Sequence, residues 1–277
     1  MSLKFLLFFL TFSICSYALK FDTISQSSLK FNRKIAGGTK AERNEFLYKC
    51  ALYITKITEE LNFCSGSIIS DRFVISAAHC FSNITTGVIF AGVHNLKEEE
   101  APYDYDFEVT DVILHEEYDA STYLNDIALI NVTAYPFDFT NSKNFIQKIQ
   151  IVTELISNDN LVGMIGRIAG WGQTTDENRE ISNELLYIDA EIIDLYNCKV
   201  IFGNKIRSTN LCLKSDDSRS TCQGDSGGGL QVTINGENFI VALVSFGAED
   251  GCEKNYPVVF TFLPPYFKWI NSIVNRD

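Results

Sequence analysis

Much that would steer a reading of this 277-residue sequence is scarce or missing. No segment repeats at a period of about 20–50 residues, which excludes solenoids and propellers. No stretch is low in complexity. With 46% apolar and 21% charged residues the composition is that of an ordinary globular chain rather than a disordered one. Beyond the N-terminus no apolar run approaches the ~20 residues of a membrane-spanning helix, so the mature protein is expected to be soluble. Basic residues are in deficit, 23 against 35 acids, for a net charge of −12. The deficit deepens past residue 34, because Lys4, Lys20, Lys30, Arg33 and Lys34 precede it and Asp22 is the single acid there. A polyanion would be repelled by that field, so no nucleic-acid partner is expected. Histidine is also rare, with His79, His94 and His115 making up the whole set.

What is present begins with an export signature. Lys4, the apolar stretch Phe5 to Cys15 and the small-x-small triplet Ser16-Tyr17-Ala18 read as a signal peptide over residues 1–18. Cys15 would leave with it, and the remaining seven cysteines in an oxidising compartment imply pairs plus one remainder. Spacing alone leaves the connectivity open. Asn83-Ile84-Thr85 and Asn131-Val132-Thr133 are glycosylation sequons that fit the same route. Residues 19–34 are polar and Ser-rich and end in Arg33-Lys34, followed by Ile35-Ala36-Gly37-Gly38.

From there the pattern is of short strands. Cys50 to Ile57 partly alternates, and Ser67-Ile68-Ile69 and Phe73-Val74-Ile75-Ser76 are β-rich runs split by Asp71-Arg72. Leu230 to Ile234 and Phe239 to Phe246 flank Asn235-Gly236, a pair suited to the positive φ angles of a type I′ hairpin turn. Many short strands separated by turns predict β-barrels or a sandwich. Only the end reads as a helix. Pro264 and Pro265 open it, and Tyr266, Trp269, Ile270, Ile273 and Val274 share one face.

Three motifs carry chemistry: Ala77-Ala78-His79-Cys80, Asn125-Asp126-Ile127-Ala128-Leu129 and Gly224-Asp225-Ser226-Gly227-Gly228. A serine hydroxyl is a poor nucleophile unless a base removes its proton during attack. Imidazole, with an unperturbed pKa near 6.5, suits that task at neutral pH. A carboxylate is then needed to fix the imidazole tautomer and to stabilise the imidazolium. Each motif alone is weak, since a histidine before a cysteine is usually packing and a glycine-rich turn is usually only a turn. Together, with Gly170-Trp171-Gly172 and Val244-Ser245-Phe246-Gly247, the chain from Ile35 to its end resembles the chymotrypsin-like (S1) serine peptidases.

The resemblance implies an all-β fold of two six-stranded antiparallel Greek-key barrels with a C-terminal α-helix. The first barrel would span about 35–150, and the second barrel with the helix 151–277. It implies His79 as general base, Asp126 as its orienting partner and Ser226 as nucleophile. The N–H groups of Gly224 and Ser226 would form the oxyanion hole, and Ser245 would bond the buried aspartate. It implies disulfides Cys64–Cys80, Cys198–Cys212 and Cys222–Cys252, leaving Cys50 as a buried free thiol. It implies a zymogen, in which cleavage after Lys34 by a trypsin-like protease frees the Ile35 amine to pair with Asp225. The substrate pocket would have Ser220 at its floor, with Thr221, Ser245, Phe246, Gly247 and Val258 around it. Trypsin-like members carry an aspartate at the floor. Without it a basic side chain would be buried unpaired, so cleavage after apolar or aromatic residues is expected. Glu249, Asp250 and Glu253 lie near the pocket in sequence. Gly229 replaces the usual proline after the double glycine and is expected to loosen that turn. Val93 stands where calcium-binding relatives place a carboxylate, so no metal is expected despite Glu98, Glu99 and Glu100, and no cofactor. Partners would be protein or peptide substrates, the activating protease and protein protease inhibitors, with the chain a secreted monomer. The competing reading is a catalytically silent homologue that acts as a binding or regulatory protein.

Overall fold

A computed structural model describes residues 38–97, 103–142, 145–153, 155–215 and 219–276. Fifteen strands make up most of the regular secondary structure among the described residues. In chain order they are β1 (Thr39–Lys40), β2 (Lys49–Lys56), β3 (Leu61–Ile68), β4 (Phe73–Ser76), β5 (Ile84–Ala91), β6 (Tyr103–Glu108), β7 (Val112–Leu114) and β8 (Ala128–Asn131). They continue with β9 (Gln150–Ile151), β10 (Ile165–Gly170), β11 (Leu186–Ile193), β12 (Asn210–Leu213), β13 (Gly229–Ile234), β14 (Glu237–Phe246) and β15 (Val258–Phe262).

The first sheet runs β6-β5-β2-β3-β4-β8-β7. Its two end strands are consecutive in the chain, separated only by the 3₁₀ turn Val109–Asp111. They are therefore two halves of one bent strand, pairing with β5 on one side and β8 on the other, and the sheet closes as a six-stranded barrel. In the second sheet β11-β10-β13-β14-β15-β12 close through the β11–β12 pairing into a second antiparallel barrel of six. Two short strands are appended. β1 pairs with β11, and β9 runs parallel to β14.

The alternation of side chains explains why a core forms between the barrels as well as inside each of them. In β2, Cys50, Leu52 and Ile54 point into the first barrel, while Ala51 points the other way. Val74 of β4 and Ala128 and Ile130 of β8 line the same interior; Phe73, Ile75 and Leu129 face outward. That outward face meets Ala169, Trp171, Ile240 and Leu243 of the second half, and Ile270 and Ile273 of the terminal helix, in a seam between the barrels. Ile168, Leu230, Val244 and Phe260 fill the second barrel. Each such fully buried aliphatic or aromatic side chain contributes about 1.5–3 kcal/mol.

The expected hairpin is present: Ile234 pairs with Glu237 across Asn235 and Gly236, both at positive φ. Pro264–Tyr266 forms a 3₁₀ turn that leads into the helix Phe267–Val274, with Tyr266, Ile270 and Ile273 buried. No helix among the described residues is long and apolar enough to cross a membrane.

Candidate active site

The seam brings the three motifs to one place. His79 sits in a single 3₁₀ turn, Ala78–Phe81, directly after β4. The disulfide Cys64–Cys80 fastens that turn to β3. Asp126 lies just before β8, the strand paired with β4, so the β4–β8 ladder sets the distance between imidazole and carboxylate. The carboxylate is fully buried. One oxygen accepts from the His79 backbone N–H at 2.8 Å; the other meets His79 Nδ1 at 2.8 Å and accepts from Ser245 Oγ at 2.6 Å. A buried charge persists only when such donors replace water. An ionised carboxylate accepts and cannot donate, so it selects the tautomer with a proton on Nδ1, which in the neutral ring leaves Nε2 as an acceptor. The backbone is fixed as well. Thr261 Oγ1 donates to the Asp126 carbonyl at 2.9 Å, and Tyr266 Oη donates to Asn125 Oδ1 at 2.8 Å. β15 and the 3₁₀ turn that leads into the terminal helix therefore anchor the turn that carries the carboxylate.

Ser226 lies on a turn pressed against the first barrel. Its carbonyl accepts from Ser65 N at 2.8 Å, and Ser65 Oγ donates to the Gly224 carbonyl at 3.1 Å. Gly227 is what permits this approach. It has φ +77°, and a Cβ there would lie 2.1 Å from Ser76 Oγ and 2.7 Å from Ala77 N. The Cys80 sulfur lies 3.9 Å from both His79 Nε2 and the Ser226 carbonyl oxygen, so base and nucleophile share a neighbour. Gly224 adopts φ +100°. Its N–H and that of Ser226 enter no hydrogen bond between described backbone groups. Gly229 begins β13 in register with Leu243, and the preceding residues are bonded on both sides, Gly227 N to Val244 O and Val244 N to Gly228 O, both at 2.9 Å. The turn is not loosened by the missing proline.

Asp225 points away from the nucleophile into the seam. It is buried and accepts from Gly172 N and Cys222 N, each at 2.9 Å. Burial pushes its carboxyl up to about 6, against the two N–H groups and the positive charge of Lys49. Lys34 and Ile35, its expected switch partners, lie outside the described residues, as do Glu98, Glu99 and Glu100.

Of the residues expected to form the substrate pocket, Ser220, Thr221, Ser245 and Val258 are buried, Phe246 is half-buried and Gly247 is exposed. A Cβ on Gly247 would touch nothing within 4 Å. Glu249 and Asp250 are exposed. Glu253 is engaged elsewhere, accepting from Asp176 N at 2.8 Å. Disulfides link Cys198–Cys212 and Cys222–Cys252, and Cys50 is a buried free thiol pushed up to about 12 by burial. Asn83 is exposed, and Asn131 is half-buried with its Oδ1 accepting from Thr133 N at 2.8 Å. His94 and His115 stand apart from the carboxylate. His115 packs on Tyr266 and Trp269, and His94 is near Glu184.

Two residues at the site were not singled out from sequence. Tyr123, at φ +57°, sets its ring 5.6 Å from that of His79 and 5.5 Å from that of Phe246. Lys49 is 1% exposed, and its Nζ has no hydrogen-bond partner among the described residues. A lysine two residues before an apolar position on the same strand face, Ala51, was the available signal.

The comparisons agree with this geometry. A family model described as Trypsin matches residues 35–270. Brachyurin of Leptuca pugilator is 34% identical over 239 residues, covering 86% of this chain and 97% of that protein. Chymotrypsin-like elastase family member 1 of Rattus norvegicus is 26% identical over 272 residues, covering 96% and 98%. The solved structure of HL collagenase aligns with a TM-score of 0.77 at 29% identity, covering 88% of this chain and 100% of that one. With a family model matching most of its length, the chain belongs to the trypsin family of chymotrypsin-like serine proteases.

Proposed function

We propose that the protein is a secreted proenzyme which, once cut after Lys34, hydrolyses peptide bonds after apolar residues through an acyl-enzyme. The observation that carries the reading is the buried Asp126 carboxylate, bonded at once to His79 Nδ1, the His79 N–H and Ser245 Oγ beside the Ser226 turn. In this reading His79 Nε2 takes the proton from Ser226 Oγ as that oxygen attacks the scissile carbonyl. The imidazolium so formed is stabilised by Asp126, and it then protonates the leaving amine. The Gly224 and Ser226 N–H groups receive the oxyanion, each such donor being worth about 2.7–4 kcal/mol of barrier. Water deacylates the serine by the same proton route in reverse.

The preference for apolar residues is supported by the buried Ser220 in place of an acid, and by Glu253 being bonded to another loop. In this reading Val258, where the resemblance puts a glycine, would narrow the pocket, and the likeness to a chymotrypsin-like elastase favours the smaller apolar side chains. Leu and Met therefore rank ahead of Phe and Tyr. The Ile35 ammonium freed by cleavage would pair with Asp225, and glycans are proposed at Asn83 and Asn131. The test is fluorophosphonate labelling after limited tryptic cleavage. The cut chain should be labelled at Ser226, and Ser226→Ala should not. A correctly cut, folded chain that resists the reagent would instead favour a silent binding homologue. Peptides that differ only before the scissile bond then rank the preference.

A further inference from the structure

Asp176 stands on the segment that follows Gly170-Trp171-Gly172. The base of that segment is closed by an isolated pairing of Gln173 with Ile181 and by Gln173 Nε2, which donates to the Arg179 carbonyl at 2.8 Å. The base is also fixed to the turn of the nucleophile. Gln173 N donates to the carbonyl of Gln223, the residue before Gly224, at 2.8 Å. A Cβ on Gly224 would come within 3.2 Å of Ile181 Cγ2, so the far end of the segment packs there too. Between these ends the segment meets the loop that joins β14 to β15. One Asp176 carboxylate oxygen accepts from Cys252 N at 2.6 Å, and the other accepts from Glu253 N at 3.2 Å. The tie is returned by Asp176 N, which donates to Glu253 Oε2 at 2.8 Å.

The β14–β15 loop is shaped to receive this carboxylate. Gly251 has φ +123°, which side chains rarely adopt, and a Cβ there would lie 2.3 Å from Asp176 Oδ2. The glycine is thus the gap through which the two segments approach. Cys252 is bonded through its sulfur to Cys222, but a disulfide fixes a side chain and leaves the adjoining peptide planes to be oriented by something else. Two neighbouring N–H groups donating to one carboxylate supply that orientation, because bonds to a charged acceptor are short and directional. The loop begins after Phe246 and ends at Val258, so it joins the residues assigned above to two walls of the substrate pocket. We propose that Asp176 is a positioning residue for substrate selection. Its carboxylate, exposed and in a neighbouring segment, holds the Gly251–Glu253 backbone and so sets the spacing of the walls that receive the side chain before the scissile bond. This rests on the protease reading above. Asp176 touches no member of the His79–Asp126–Ser226 set, so losing it weakens the hold on a peptide and leaves the proton route intact.

The experiment uses the full chain cut by limited tryptic treatment, with two readouts. One is steady-state hydrolysis of a peptide with Leu before the scissile bond. The other is the labelling rate of Ser226 by a small alkyl fluorophosphonate, which needs the triad and oxyanion hole and little of the pocket. Asp176→Ala should raise KM about tenfold while kcat and the labelling rate stay within about threefold of wild type. Asp176→Asn keeps an acceptor oxygen for the Cys252 N–H and should bring KM back to within about threefold of wild type. Gly251→Ala drives a methyl group into the carboxylate and should raise KM about as far as Asp176→Ala, the double variant adding less than about twofold more. An unchanged KM in Asp176→Ala, even with lowered Tm, overturns the inference, as does an Asp176→Asn enzyme no better than Asp176→Ala. A fall in kcat and labelling together also overturns it, since the effect would then run through Gln223 to the oxyanion turn. If Asp176→Ala fails to fold, Gly251→Ala decides, and a wild-type KM there is fatal. A cut wild-type chain that is not labelled overturns the protease reading and this inference with it. A labelled wild type whose variants all keep its KM overturns the inference alone.

Discussion

Gly172→Ala tests whether the Gly-Trp-Gly motif exists to make room for Asp225. Gly172 does not lie at positive φ, so the backbone tolerates alanine and the cost is collision alone. The new Cβ would sit 2.3 Å from Asp225 Oδ2 and 2.5 Å from its Cγ, well inside any allowed contact. Neither atom belongs to a flexible end, because the carboxylate is buried and held by two N–H groups at 2.9 Å. Moving it breaks both bonds in a place water does not reach. Hydrogen bonds to a charged group are worth about 1.5–3 kcal/mol each, so the displaced state lies roughly 3–6 kcal/mol higher. Asp225 is adjacent to Ser226, and the Gly224 and Ser226 N–H groups would swing with it. At about 1.4 kcal/mol per tenfold in rate, kcat of the cut enzyme should fall by about 10²–10⁴ with KM less affected. Peptide hydrolysis and fluorophosphonate titration measure it. Gly163→Ala is the control, since that glycine has φ +85° but nothing within 4 Å of its Cβ. It should lose stability and keep kcat. A Gly172→Ala enzyme with kcat within about threefold of wild type would refute the reasoning.

Ser245→Ala removes the 2.6 Å donor to Asp126 and leaves a buried carboxylate short of one bond. A loss of about 1.5–3 kcal/mol predicts a kcat about 10–100-fold lower, read by steady-state hydrolysis. Val258→Gly deletes the methyl groups proposed to stand at the pocket wall. The ratio of kcat/KM for Phe over Leu substrates should rise about 10–200-fold, and an unchanged ratio would remove Val258 from the pocket. Lys49→Met probes the buried cation through stability. Burial drops Lys49 from 10.5 to about 8, so the unfolded chain binds more protons between those values. Stability from this group is full above about pH 10.5 and is lost as pH falls through 8. Tm of wild type relative to Lys49→Met should therefore climb from pH 8 to pH 10, and parallel curves would contradict a buried, titrating lysine.

Local features were legible where one residue type has one physical use. Asn235-Gly236 gives a tight hairpin because both residues tolerate positive φ. Pro264-Pro265 before Tyr266, Ile270 and Ile273 gives a helix with one apolar face. Strand partners were less legible, because pairing is set by the whole fold. Nothing in Tyr103–Leu114 announces that a single turn at Val109–Asp111 lets one strand serve both edges and close the first barrel. The three catalytic candidates stood out by motif, yet what joins them did not. The Ser65 contacts to the Ser226 turn and the anchoring of Asn125 by Tyr266 bridge residues up to 159 apart in sequence.

Lys49 escaped notice for a related reason. A lysine in a partly alternating strand ordinarily marks the solvated face, since lysine is seldom buried unless paired. The rule fails in β2 because this sheet has no solvated face there: one side fills the first barrel and the other meets the second. In such a strand a charge has nowhere to go but inward, and it is tolerated only if the opposite surface supplies both space and an anion. Gly228 supplies the space, since a Cβ there would come within 2.8 Å of Lys49 Nζ, and Asp225 is the carboxylate whose charge favours the ammonium. Gly229, in place of the proline, makes room instead for Ile240 and for Ser67, the cross-strand partner of Lys49. Restoring bulk at Gly229 should displace Ser67 and Ile240, and with them the pocket that shelters the ammonium.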